Sequence, residues 1–316
     1  MQRVKVLLMG QMPAHELTAW RVALSAAMPE ADWLDAQTAR QQSAMPRVAV
    51  VANPPPGALA EWPQLEFVQS LWAGVDRLLA DASVPTHVPI ARMVDPAMTA
   101  AMVETALWAT LSLHRGFFDY QQRQREGVWR AHAQRRADEV RVLVLGLGEM
   151  GRAVARCLQQ QGYAVQGWRL REGAAIEGVA VHAGDAALWP RLHQAEIVIN
   201  LLPLTPNTRG LLSLRFFAVM PAGAAVVNLA RGAHVVDDDL LHALDSGHLR
   251  HAMLDVFHAE PLALGHRFWQ HPAVTLLPHA AALTDERSAA AVVARNLRAF
   301  RDGQPLAHLV DRQRGY

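Results

Sequence analysis

The sequence predicts an α/β protein built as two doubly wound parallel-sheet units, one inserted into the other. Three observations carry that reading. Short apolar runs alternate with helical stretches over about the first 95 residues. A glycine-rich turn at Gly146 opens a second alternation that runs to about residue 283. Two long helical patterns, at 95–118 and 284–302, stand at the joins between these regions. The expected units are therefore 1–98 with 284–316, and 99–283.

In the first region, residues 4–9 read as a buried strand and 14–27 as a helix. Residues 32–34 and 48–52 read as further strands, the latter ended by Asn53-Pro54-Pro55-Pro56-Gly57, which no helix or central strand crosses. Strand 65–71 leads into the loop Trp72-Ala73-Gly74-Val75-Asp76 and a short helix, and 89–92 reads as one more strand. The polar run 120–139 reads as a loop and arm able to pack on a partner subunit.

The second region begins with the apolar run 142–145, which suits a strand buried on both faces of a parallel sheet. Gly146, Gly148 and Gly151 follow in the spacing G-x-G-x-x-G. The first glycine allows the tight turn, the second lets backbone approach a pyrophosphate, and the third lets the next helix pack close to the strand. That helix, about 150–161, directs its N-terminal amides at the phosphates, and strand 163–168 closes a βαβ unit. This context reads as a Rossmann dinucleotide site. At the end of the second strand an NAD site usually carries an acid, whereas this chain has Trp168-Arg169-Leu170-Arg171. Arg169 and Arg171 suit a 2′-phosphate, so NADP(H) is the expected cofactor, with NAD(H) the alternative. Beyond it, strands are expected at 197–201, 225–228, 252–256 and 274–277, with helices at 213–220 and 237–246.

Composition bounds the rest. A chain of 316 residues, 51% hydrophobic and 19% charged, buries a sizeable core and is not disordered. A formal net charge of +1 gives no electrostatic case for nucleic acid or an anionic membrane. The single cysteine, Cys157, excludes an internal disulfide framework, fits a reducing compartment and reads as a core thiol. The opening VKVLLMG is too short for a signal segment, and no run nears the roughly 18 apolar residues of a membrane span. A cytoplasmic protein with neither nucleic-acid nor membrane partner is expected. One cysteine cannot build a zinc-dehydrogenase ligand set, so no metal is expected.

Three loops follow expected strands at the carboxyl edge, where doubly wound folds bind ligands. They are Asn228-Leu229-Ala230-Arg231-Gly232, the stretch from Leu254-Asp255-Val256-Phe257 to Glu260-Pro261, and Leu277-Pro278-His279-Ala280-Ala281. An Arg, a Glu and a His thus converge beside the cofactor. Hydride delivery to a carbonyl needs a proton donor for the developing alkoxide, and His suits that near neutral pH. A carboxylate on the far ring nitrogen orients the His and favours its protonated form. Arg offers a planar fork for a substrate carboxylate or keto oxygen.

With these loops the chain resembles the D-isomer-specific 2-hydroxyacid dehydrogenase family. The likeness rests on Gly146-Leu147-Gly148-Glu149-Met150-Gly151, the 228–232 loop, Leu254-Asp255-Val256-Phe257 with Glu260-Pro261, and Pro278-His279. Ser70 to Asp76, Asn200 to Pro206 and 235–241 add to it. The resemblance implies a Rossmann cofactor domain inserted into a flavodoxin-like substrate domain. It implies NADPH-dependent reduction of small 2-oxoacids, glyoxylate to glycolate and hydroxypyruvate to D-glycerate. Arg231 is then the 2-oxoacid ligand, His279 the acid/base and Glu260 its support. Trp72, Ala73 and Gly74 serve the substrate; Glu149, Met150, Leu202, Pro203, Ala230 and Asp255 join the glycines at the cofactor. Homodimers pairing through the cofactor domain would use the 120–139 arm. The Arg169/Arg171 pair departs from the wider family. Three rivals share the fold. They are a dehydrogenase for another 2-hydroxy acid, such as phosphoglycerate with its added C-terminal domain, a formate dehydrogenase carrying Gln at position 260, and a co-repressor-like dinucleotide sensor.

Overall fold

The computed structural model describes residues 3–316, which divide into two compact units. Unit one runs up to Met98 and resumes at Thr284–Tyr316; unit two is Thr99–Leu283.

Unit one holds β1 (Val4–Gly10), α1 (Ala14–Ala27), β2 (Ala31–Leu34), α2 (Ala36–Gln41), β3 (Val48–Ala52), β4 (Phe67–Ser70), α3 (Asp76–Ala80) and β5 (Ile90–Ala91). Its five strands are all parallel, in the order β2-β1-β3-β4-β5, which is the flavodoxin-like order. Every residue of β3 is buried, as a central parallel strand requires. The short α2 was not expected; its signal is Asp35, whose Oδ1 accepts the Thr38 amide at 2.7 Å.

Unit two contains α4 (Pro96–Arg115), which begins in unit one, then α5 (Phe117–Arg125), β6 (Arg141–Leu145), α6 (Glu149–Gln160), β7 (Ala164–Arg169) and β8 (Ala180–Ala183). Next come α7 (Asp185–Leu192), β9 (Ile197–Asn200), α8 (Leu214–Val219), β10 (Ala224–Asn228), α9 (Asp237–Asp245), β11 (Leu249–Leu254) and β12 (Val274–Leu276). The last helix, α10 (Glu286–Arg301), belongs to unit one and packs with α1. It buries Ala289, Ala290, Val292, Val293, Asn296 and Leu297, the stripe of an amphipathic helix.

The seven strands of unit two are parallel, in the order β12-β11-β10-β9-β6-β7-β8. The chain winds outward from β6 to β8, then crosses back to β9, so the direction of winding reverses between β6 and β9. Doubly wound sheets bind ligands outside the strand ends at that point. Val142 and Val144 pack with Ala109 and Val154 on one face; Leu143 and Leu145 pack with Phe216 and Leu240 on the other. Each such side chain, when fully buried, contributes about 1.5–3 kcal/mol.

Two expectations are corrected. Part of the 120–139 arm is helical: Gly116, at φ 67°, ends α4 and α5 starts at once. Phe118 anchors this polar helix by stacking on His251, with centroids 4.4 Å apart. The edge strand β8 and helix α7 were not expected at all. Strand β8 is exposed or half-buried throughout, and α7 carries Pro190 within it.

Candidate active site at the carboxyl edge of the second sheet

Gly146 turns the chain at φ +88°, and a Cβ there would lie 2.6 Å from the Leu201 carbonyl oxygen. A Cβ on Gly151 would lie 1.8 Å from the carbonyl oxygen of Gly146. Both positions therefore admit only glycine. Around Gly148, by contrast, no atom among the described residues stands within 4 Å of a Cβ position. Gly148 is the N-cap of α6, and no side chain of the described residues caps that end. A helix of 12 residues thus presents bare amides and its positive dipole end over open space. These features fit a dinucleotide pyrophosphate. Glu149 and Met150 form the first turn, Glu149 exposed and Met150 half-buried.

At the end of β7, Trp168 is buried and its indole donates to the Gly184 carbonyl at 2.9 Å. Arg169 donates through its Nη atoms to the carbonyls of Gly173 and Ala174, which folds the following loop around the guanidinium. Its Nε is buried with no partner among the described residues. Arg171 is exposed. A cationic strand end, with Arg171 exposed, fits a 2′-phosphate better than a ribose hydroxyl pair.

The loops after β10, β11 and β12 bring the other residues together. His279 Nδ1 and Glu260 Oε2 are 2.7 Å apart, with side chains 51% and 27% exposed. Glu260 Oε1 accepts the Phe257 amide at 2.9 Å. Burial works against the Glu260 charge, but the bonds from His279 and Phe257 and the charges of His279 and Arg231 outweigh it. Its carboxyl is held below the ordinary 4.5. Arg231 is half-buried, with Nη1 donating to its neighbour's carbonyl, that of Ala230, at 2.7 Å. The next residue, Gly232, packs so closely on the Glu260 loop that a Cβ would lie 1.9 Å from the Phe257 carbonyl carbon.

His279 adopts a left-handed φ of 55°, a conformation that a non-glycine residue keeps only when its surroundings impose it. Asp255 supplies that constraint. Its carbonyl accepts the His279 amide at 2.8 Å, and its Oδ1 accepts the amides of Ala280 and Ala281 at 2.7 and 3.1 Å. Burial pushes the Asp255 carboxyl above its ordinary value. Its one described carboxylate role is to hold this turn.

Leu202 and Pro203 lie in the loop after β9, which meets Gly146 at the Leu202 amide, and Ala230 lies in the loop after β10. Trp72, Ala73 and Gly74 follow β4 in unit one, where Ser70 Oγ accepts the Trp72 amide at 3.0 Å and Trp72 meets Trp20 edge-on. Arg231, Glu260 and His279 all belong to unit two. Asn200, Asn228 and His234 were passed over in the sequence as functional residues. Among the described residues no group of three or more His, Cys, Asp or Glu is arranged to hold a metal, and no helix is long and apolar enough to cross a membrane. Cys157 is half-buried, and burial raises its thiol above the ordinary value, away from nucleophilic use.

The model for the NAD binding domain of D-isomer specific 2-hydroxyacid dehydrogenases matches residues 107–281. The chain belongs to the D-isomer-specific 2-hydroxyacid dehydrogenase family. The matched segment contains the glycine turn, the Arg231 and Glu260 loops and His279. Glyoxylate/hydroxypyruvate reductase A of Serratia proteamaculans is 38% identical to this dehydrogenase over 309 residues, 96% of this chain and 98% of that protein. A D-isomer specific 2-hydroxyacid dehydrogenase of Xanthobacter autotrophicus, solved with NADPH and MES, superposes with a TM-score of 0.92 at 37% identity, covering 99% and 100% of the two chains. The NADPH-dependent glyoxylate/hydroxypyruvate reductase of Sinorhizobium meliloti, solved with NADP and sulfate, gives 0.91 at 34% identity over 99% and 100%.

Proposed function

We propose that this dehydrogenase reduces small 2-oxoacids, glyoxylate to glycolate and hydroxypyruvate to D-glycerate, and takes NADPH in preference to NADH. The observation that carries the reading is the His279–Glu260 couple at 2.7 Å, on strand-end loops at the same sheet edge as Arg231 and the glycine turn. When bound, the reduced nicotinamide supplies the hydride. His279 delivers the proton to the substrate oxygen from Nε2, since Nδ1 is committed to Glu260. Ionised Glu260 accepts from Nδ1 and orients the ring. Arg231 binds the substrate carboxylate or keto oxygen with its planar fork. The backbone at Trp72, Ala73 and Gly74 in unit one serves the substrate carboxylate. Gly146, Gly148, Glu149, Met150 and Gly151 hold the pyrophosphate, Arg169 and Arg171 the 2′-phosphate, and Leu202, Pro203, Ala230 and Asp255 line the nicotinamide side.

The same reading makes the protein a cytoplasmic homodimer. Supporting it, Trp108, Phe117, Val128 and Trp129 expose 41%, 52%, 42% and 103% of their surface on α4 and the arm. Sedimentation should give twice the chain mass. The deciding assay follows NADPH and NADH oxidation with a panel of 2-oxoacids. Turnover of glyoxylate and hydroxypyruvate with NADPH is expected. Oxidation only with another 2-oxoacid would replace the substrate class. NADPH binding without turnover of any 2-oxoacid would leave a dinucleotide sensor.

A further inference from the structure

Asn200 and Asn228 end adjacent parallel strands, β9 and β10, as register partners, and both are 0% exposed. His234, also 0% exposed, lies in the turn just after Arg231. The Leu202 amide donates to Asn200 Oδ1 at 3.2 Å, which fixes the orientation of that side-chain amide. Asn200 Nδ2 is thereby aimed at Asn228 Oδ1, 2.9 Å away, and at His234 Nδ1, 3.0 Å away. With Nδ1 accepting, the His234 ring carries its proton on Nε2 and donates it to the Pro203 carbonyl at 3.2 Å. Asn228 Nδ2 donates to the Arg231 carbonyl at 2.9 Å, and that oxygen also accepts the His234 amide at 3.2 Å. The Ala230 amide completes the set by donating to Asn228 Oδ1 at 3.3 Å.

Flipping either side-chain amide, or moving the ring proton, would set donor against donor and acceptor against acceptor among side chains that are 0% exposed. The network therefore has one satisfied arrangement. It ties the backbone of Arg231 to the Leu202–Pro203 loop, and that loop abuts Gly146 through the Leu201 carbonyl. Apolar side chains would bury these strand ends equally well, but they would not fix where the two loops stand relative to each other. We infer that Asn200, Asn228 and His234 are positioning residues, which set the substrate arginine and the nicotinamide-side loop as one unit. This rests on the roles proposed above for Arg231 and Pro203.

Two pairs of variants test it. His234→Asn keeps an acceptor near Nδ1 but loses the donor to Pro203; His234→Gln carries an amide that reaches the Nε2 position. NADPH affinity, read by fluorescence titration, should fall at least about fivefold in His234→Asn and return to within about twofold in His234→Gln, the scale of one hydrogen bond. Asn228→Ala should lower kcat for glyoxylate at least about tenfold with little change in NADPH affinity, and cost far less in an Arg231→Lys background, because both act through one guanidinium. Equal NADPH affinity in the two His234 variants, or an Asn228→Ala effect that simply adds to that of Arg231→Lys, would overturn the inference. The titration needs no turnover. NADPH binding without glyoxylate reduction in the unaltered protein would sink the proposed substrate, while the His234 pair would still decide the network. Absence of NADPH binding would remove both.

Discussion

His279 and Glu260 meet at 2.7 Å across two loops that leave neighbouring strands, β12 and β11. Neither loop is held by this contact alone. Glu260 is pinned by the Phe257 amide, Phe257 by its fit against Gly232, and His279 by Asp255 through three backbone amides. The couple is thus preorganised by buried backbone contacts while its own side chains stay partly exposed for a ligand.

Cofactor choice should follow the end of β7. With Arg169 and Arg171 in place of an acid, kcat/KM should favour NADPH over NADH by at least about tenfold, one charge-assisted contact. Arg169→Asp should reverse the order. It also removes the bonds that fold residues 170–174, so its melting temperature should be checked alongside. Equal efficiency with both cofactors in the unaltered enzyme would take the 2′-phosphate away from these arginines.

The glycine turn separates stability from binding. Gly148→Ala places a methyl group in open space, so unfolding free energy should stay within about 0.5 kcal/mol while NADPH binding weakens about tenfold or more. Gly151→Ala drives a methyl into the Gly146 carbonyl and should lower stability by about 3 kcal/mol. Denaturant melts and cofactor titrations of both variants are the measurements. Tight NADPH binding by Gly148→Ala would put the pyrophosphate elsewhere.

Features local in sequence were legible before the structure. The strand–glycine turn–helix occupies one continuous stretch, and strands buried on both faces announce themselves as apolar runs. The Arg231 loop was legible because it directly follows such a run, whereas the His279 loop follows β12, a half-buried edge strand marked only by its apolar residues. What stayed hidden depends on contacts between distant segments. Helix α5 has no apolar stripe and is anchored by the stacking of Phe118 on His251. Strand β8 lies at a sheet edge with no buried residue to mark it. Asn200 stands in a motif that was read, yet its partner His234 lies 34 residues away, and no spacing rule pairs them.

Arg231→Lys keeps the charge and loses the planar fork. A point charge does not replace a bidentate guanidinium, so kcat/KM for glyoxylate should fall by roughly two orders of magnitude, the scale of one lost electrostatic contact in a site. NADPH affinity should barely move, since Gly232 and the turn behind it are untouched. Steady-state kinetics with a parallel cofactor titration checks both halves. A variant with near-normal kcat/KM would remove Arg231 from the substrate.

The pH dependence of Glu260→Gln tests the couple itself. The Glu260 carboxyl titrates below its ordinary 4.5, opposed by burial but held there by the His279 and Phe257 bonds and by the charges of His279 and Arg231. Because its folded value is depressed, its contribution to stability is present above about pH 4.5 and lost as pH falls through the lowered folded value. The melting temperatures of the unaltered protein and Glu260→Gln should therefore differ near neutrality and converge in acid. Glutamine keeps a hydrogen-bonding group beside His279 but no charge. His279 hands a proton to the substrate in reduction, and Glu260 holds the ring that carries it. In Glu260→Gln kcat/KM for glyoxylate should fall at least about tenfold near neutral pH, because the ring loses its charged partner at 2.7 Å. His279→Ala should abolish nearly all turnover in both directions and retain NADPH binding. Profiles of kcat/KM from about pH 5 to 10, measured in both proteins, decide it. Equal kcat/KM in the two proteins across that range would show that catalysis does not depend on the Glu260 charge at the 2.7 Å contact.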